Sequence, residues 1–179
     1  ADRFDRILNY LVKYPDTPHA NRLHALAGNV LYADGMYERA LDCYGRAALE
    51  KLGNDDRDEA TLYKAICLLK TGDVQEAYAL LTVVQSVSAE READARYYKA
   101  YIDYTYRRYD EALSALETLT GYDVYGRQAP YYIADIHLQQ KQYDEALRTV
   151  EAFLTQYPEA EQTLEMKRIA GEAAYGMEQ

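Results

Sequence analysis

This sequence has no tryptophan, only two phenylalanines and only two cysteines in 179 residues. Cys43 and Cys67 each sit inside an apolar stretch; two thiols cannot form a disulfide framework, and these read as buried and free. No apolar run approaches the roughly 18 residues needed to cross a bilayer, so nothing in the chain reads as membrane-spanning. Basic charge is also scarce: 20 Lys and Arg face 30 Asp and Glu, a formal net charge of -10. With no dense Lys/Arg cluster, such a surface repels phosphate backbones and argues against a nucleic-acid partner. The chain opens Ala1-Asp2-Arg3 without a basic segment leading into an apolar one, so no signal peptide is expected in it.

The signatures of chemistry are missing as well. His19, His24 and His137 are isolated, and none joins a His-Glu-x-x-His or Cys/His arrangement with metal-ligand spacing. Neither Gly-x-Gly-x-x-Gly nor Gly-x-x-x-x-Gly-Lys occurs. The Asp-Glu pairs at 58–59, 110–111 and 144–145 are expected to begin helices, where carboxylates favour the exposed amides and the positive dipole end. Adjacent carboxylates on a helix diverge by about 100°, a poor geometry for paired acid-base work. No catalytic residue, cofactor or metal site is expected, and the chain reads as non-enzymatic.

What the sequence has in abundance is tyrosine, 20 in all. Tyr places a ring in a helix-helix seam and a hydroxyl in water, which suits layered proteins with much half-buried surface. It also has a repeat. Ala40, Ala77, Ala112 and Ala146 are 37, 35 and 34 residues apart, each three residues after Tyr37, Val74, Tyr109 or Tyr143. Gly28, Ala65, Ala100 and Ala134 lie 12 residues before those alanines, and Gly171 continues the series. A period near 34 means stacked helical hairpins, with small residues where two backbones approach most closely.

Apolar spacing and breakers predict the helices. The first covers 2–13 and stops at Tyr14-Pro15. Helices near 19–33 and 37–51 turn at Asp34-Gly35; those near 56–70 and 74–86 turn at Thr71-Gly72-Asp73. Helices near 90–106 and 109–120 meet at Arg107-Arg108, and those near 128–140 and 143–156 meet at Lys141-Gln142. Gly121 to Gly126 reads as a loop, and a last helix covers about 160–175. The expected organisation is one domain, 1–179, with an extra helix 2–13, repeats near 21–54, 58–88, 93–122 and 127–158, and a partial repeat 161–176. Leu164, Ile169 and Ala173 in that partial repeat are expected to need a partner helix.

These positions resemble the tetratricopeptide repeat over essentially the whole chain. The family places a small residue in the first helix, alanine 12 residues later, a bulky residue four beyond and a second alanine three beyond that; Gly28, Ala40, Tyr44 and Ala47 satisfy all four. Ala65, Ala77 and Leu81 repeat the match with Val84 in the last place. Ala100, Ala112 and Leu116 follow with Leu119 there, then Ala134, Ala146 and Val150 with Phe153. The resemblance implies an all-α fold, a right-handed α-α superhelix (solenoid) of antiparallel helix pairs. The joints Leu11 to Ala20 and Phe153 to Glu161 are similar to those of bacterial cell-envelope tetratricopeptide proteins, and the whole resembles large Bacteroidetes members of the family. Periplasm or envelope is the compartment this implies, with cytoplasm the alternative.

In this family the first helix of each hairpin lines a concave face that binds a protein or peptide segment. The resemblance therefore implies a lining of Arg22, Ala25, Asn29 and Tyr32, then Glu59, Leu62, Ile66 and Leu69. Asp94, Tyr97, Tyr101 and Tyr104 come next, followed by Gln128, Tyr131, Asp135 and Leu138, and by Glu165, Arg168, Glu172 and Tyr175. Tyr97, Tyr101 and Tyr104 form a stripe that either docks a peptide or packs between hairpins. The lysine-asparagine clamp that some members use for a partner's terminal carboxylate is absent, because Ala25 precedes Asn29 and Leu62 and Ile66 replace the polar pair. The expected function is a non-enzymatic interaction scaffold, one part of a larger bacterial protein. The alternatives are self-association through the terminal helices and a role in envelope assembly.

Overall fold

The computed structural model describes residues 2–84 and 88–179. Among the described residues the regular structure is helical, and the chain divides into two compact units, Ala1–Ala95 and Arg96–Gln179. The first holds α1 (Asp2–Lys13), α2 (Ala20–Ala33), α3 (Tyr37–Arg46), a 3₁₀ turn (Leu49–Lys51), α4 (Asn54–Thr71) and α5 (Val74–Val83). Helix α6 (Ala89–Thr105) begins in the first unit and ends in the second. The second unit continues with α7 (Tyr109–Glu117), α8 (Tyr125–Gln139), α9 (Tyr143–Gln156) and α10 (Thr163–Met177).

In the first unit α2 pairs with α3 and α4 with α5, while α1 packs on α2. Phe4 and Ile7 of α1 enter a core with Ala25, Ala27, Leu31, Ala40, Cys43 and Tyr44. The repeat alanines do what their spacing predicts: Ala40, Ala65 and Ala77 have no exposed surface. Gly28 is smaller still for a reason. A Cβ on it would stand 2.5 Å from the Tyr44 ring, so only glycine leaves room for that bulky neighbour.

In the second unit α8 pairs with α9, and α10 packs on both. Ala134, Ala146, Val150 and Phe153 share a core with Met166, Ile169 and Ala173 of α10. The expectation that Leu164, Ile169 and Ala173 need a partner helix is thereby corrected. Ile169 and Ala173 are already fully buried, and only Leu164 stays outside. Helix α10 sits on α9 as the first helix of a following hairpin would, so its apolar stripe finds its cover within the unit.

Every hairpin turn closes the same way. Gly35, Gly72, Arg107 and Lys141 all adopt positive φ, and the amide that follows each bonds the carbonyl five residues back. Those bonds, Met36 to Leu31, Asp73 to Leu68, Arg108 to Asp103 and Gln142 to His137, measure 2.8 to 2.9 Å. This is the Schellman closure, which caps the first helix and reverses the chain. At the α6–α7 turn the buried Asp103 carboxylate also accepts from Arg108 Nε at 2.7 Å. Asp73 caps α5 by accepting the Glu76 amide.

Several boundaries differ from the periodic expectation. Helix α3 ends at Arg46, not 51, because Ala47 turns extended and the Ala48 amide bonds the Asn21 side chain, steering Leu49 and Leu52 onto the core. Helix α5 ends at Val83; the expected residues 85 and 86 lie outside the described residues. Tyr125 and Gly126, expected in a loop, are buried and already helical, which makes Pro130 the sixth residue of α8. Asp58-Glu59 lies a turn inside α4, since that helix starts at Asn54, so its carboxylates do not serve a helix start.

Candidate interaction surfaces

In the first unit, Arg22, Ala25, Asn29 and Glu59 come together in one cleft of about 550 Å³ between α1, α2 and α4. Tyr10, His19, Leu23, Leu26 and Asp56 complete its walls. The polar wall is organised from the core outward. Tyr44 Oη donates to Asn29 Oδ1 at 2.8 Å, and Asn29 Nδ2 donates to Glu59 Oε2 at 2.9 Å. Arg91 then bridges Glu59 and Asp55 from the start of α6. Arg22 pairs with Asp56 at 2.8 Å. These bonds fix the polar rim, while Leu23, Ala25 and Leu26 supply an apolar floor.

Other expected lining residues of this unit lie elsewhere. Leu62 and Ile66 are withdrawn into the core, at 0% and 3% exposure, and present no contact surface. Tyr32 stacks on Tyr63, centroids 4.4 Å apart. Burial, reinforced by the negative charge of Glu59 and Asp94, raises the Tyr63 hydroxyl above its ordinary range, with Arg91 opposing.

The second unit gathers the tyrosines. Tyr132, next to the expected Tyr131, stands at the centre of a ring cluster. It meets Tyr97, Tyr101, Tyr104 and Tyr131 edge to face, with centroids 5.0 to 6.3 Å apart. Such geometry sets the positive edge of one ring against the negative face of another. Tyr97 also stacks on the buried Tyr125 at 4.6 Å. Tyr104 Oη donates to Asp135 Oδ2 at 2.7 Å, and Gln139 reaches the other oxygen of that carboxylate. Burial is the largest cause raising both hydroxyls in pKa; Tyr132, through its charge and a hydrogen bond, adds to the shift of Tyr97, and the bond to Asp135 adds to that of Tyr104.

The four expected tyrosines are therefore not equivalent. Tyr97 and Tyr104 are anchored by hydroxyl bonds and several ring contacts, whereas the ring contacts of Tyr101 and Tyr131 are to Tyr132. All four remain half-buried, so the surface is packed and accessible at once. A tyrosine doublet, Tyr97-Tyr98 or Tyr131-Tyr132, was the available signal for the hub. On α10, Arg168 is held by Glu165 at 2.9 Å and by Glu172. Among the described residues no group of three His, Cys, Asp or Glu is placed to hold a metal, and no helix is long and apolar enough to cross a membrane.

Comparison with known proteins agrees with this geometry. A tetratricopeptide repeat protein from Parabacteroides merdae superposes with a TM-score of 0.74 at 16% identity, covering 97% of this chain and 68% of that one. MamA from Desulfovibrio magneticus RS-1 superposes with a TM-score of 0.66 at 21% identity, covering 88% of this chain and 91% of that one. No curated protein matches the chain in sequence. The family's sequence pattern, described as the tetratricopeptide repeat, matches residues 25–87 and 99–161. That match covers most of the chain, and this chain belongs to the tetratricopeptide repeat family.

Proposed function

We propose that this chain is a non-enzymatic scaffold that binds an extended peptide or protein segment on the first-helix faces of its hairpins. The family is a protein–protein interaction module. The observation that carries the finer reading is the tyrosine surface of the second unit, where four half-buried rings lean on Tyr132. Large rings held in place by one another give contact area at little entropic cost, the property of interface hot spots. The first unit's cleft, with its apolar floor and bonded polar rim, suits a second contact of mixed character.

Tyr101 and Tyr131 separate binding from packing. Peptides selected from a displayed library on the wild-type chain should lose at least about tenfold in affinity on Tyr101→Ser/Tyr131→Ser, a loss usual for hot-spot residues. The melting temperature should move little. Selected peptides that bind the double variant undiminished would remove the tyrosine face from the binding site.

A further inference from the structure

Three carboxylates are buried among the described residues, those of Asp58, Asp103 and Asp135. Two of them face an arginine: Asp58 lies 3.7 Å from Arg57, and Asp103 takes Arg108 at 2.7 Å. Asp135, on α8 in the second unit, is 6% exposed and has two neutral partners instead. Tyr104 Oη donates to its Oδ2 at 2.7 Å, and Gln139 Nε2 comes no closer to Oδ1 than 3.5 Å. A buried carboxylate without a counter-charge costs stability that an incoming cation restores.

Holding Tyr104 does not require that charge. Asn29 has the place of Asp135 in the first hairpin, following Gly28 as Asp135 follows Ala134. There a neutral amide oxygen accepts the Tyr44 hydroxyl at 2.8 Å, and it suffices. The surroundings of Asp135 also favour a cation. Tyr131 stands one turn before it on α8, and the Tyr104 and Tyr132 rings pack with centroids 5.0 Å apart. Tyr101 and Tyr131 keep half-buried rings beside them. Aromatic faces carry negative potential and attract ammonium and guanidinium groups. We infer that Asp135 and these rings receive a basic side chain of the bound segment, with arginine the better fit. The inference rests on the reading of the tyrosine face as a binding surface, and names the residue type which that face selects.

The two carboxylate oxygens divide the work. Oδ2 stays with Tyr104, whose bond is short. The bond from the exposed Gln139 to Oδ1 is long and yields to a charged donor. A guanidinium donates in its plane while stacking on a ring, and it is more weakly hydrated than an ammonium. Lysine brings the same charge with more water to shed. An acidic segment meets repulsion at the same point.

Peptides selected on the whole chain from a displayed library should share an arginine or lysine. Neutral citrulline at that position should lower affinity for the wild-type chain at least about tenfold, the scale of a broken buried charge pair. Asp135→Asn keeps an acceptor for Tyr104 but removes the charge. The parent peptide should bind it that much more weakly, and the citrulline change should then cost little more. A second readout needs only the wild-type chain: a photoreactive lysine analogue at the same position should label α6 or α8. Label confined to other helices overturns the inference. So does a citrulline penalty as large on Asp135→Asn as on wild type, which puts the cation elsewhere on a chain of net charge -10. Peptides that share no basic residue overturn it as well. Binding that is lost on Tyr101→Ser/Tyr131→Ser but indifferent to citrulline sinks this inference alone. A library that yields no binder sinks it together with the binding surface.

Discussion

Gly28 and Tyr44 illustrate how single residues are matched in this fold. The other hairpins pair alanine with a smaller bulky residue, as Ala65 does with Leu81, whereas Tyr44 needs a glycine beneath its ring. Gly28→Ala is expected to destabilise by about 1–3 kcal/mol, because the buried ring is tied to Asn29 and cannot retreat. In a Tyr44→Leu background the same change should become neutral or favourable, by up to about 1 kcal/mol, through helix propensity. Urea unfolding of the four variants measures the coupling; additive effects would contradict the steric account. His24 offers a titration test. Burial, then the nearby Arg46 cation, lowers its pKa below 6.5. The native state thus favours the neutral imidazole, and the unfolded chain binds more protons between the two values. This contribution is fully present above pH 6.5 and is lost as pH falls through the lowered value. His24→Gln should flatten that part of the stability profile; an unchanged slope would remove His24 as its source.

Among the elements, the four turn closures are the most uniform feature and the most unevenly filled. Gly35 and Gly72 adopt positive φ freely, but Arg107 at 59° and Lys141 at 60° hold the same region with side chains. Left-handed backbone disfavours a side chain by about 1–2 kcal/mol, against a larger loss of chain freedom for glycine. Arg107→Gly and Lys141→Gly should each stabilise by up to about 1 kcal/mol, and Gly72→Ala should destabilise by about the same amount or more. Denaturation midpoints decide it, and destabilisation by either glycine would show that the side chain does more than occupy the turn.

At the scale of the whole molecule the absence of tryptophan makes tyrosine and cysteine the natural reporters. Tyr44, Tyr63, Tyr97, Tyr104 and Tyr132 are all raised in pKa, with burial the largest cause in each. An alkaline absorbance titration of the 20 tyrosines should therefore run in two phases, with these groups ionising only as the fold gives way. A single phase near pH 10 would contradict the packed cluster. Both thiols lie in the first unit, and burial pushes Cys67 up to about 11 and Cys43 upward as well. An aromatic disulfide reagent at pH 8 should label Cys67 far more slowly than free cysteine until denaturant is added. Immediate labelling of both thiols would show that this core is open.

The hairpins, their alanine seams and their turns were legible in the sequence because each depends on local contacts. A helix needs periodic apolar residues, a close crossing needs a small residue, and both recur every 34 to 37 positions. The first-helix register named Arg22, Ala25, Asn29 and Glu59 as lining, and the structure gathers these four in one cleft. Side-chain packing decided the rest. Leu62 and Ile66 read as lining but went to the core, since apolar side chains follow burial over register. The early end of α3 depends on a bond from Ala48 to Asn21, 27 residues away, which no local pattern encodes. Tyr132 became the hub because rings from two helices converge on it. Periodicity specifies which residues share a face of a helix; what stands opposite that face is fixed by non-local packing.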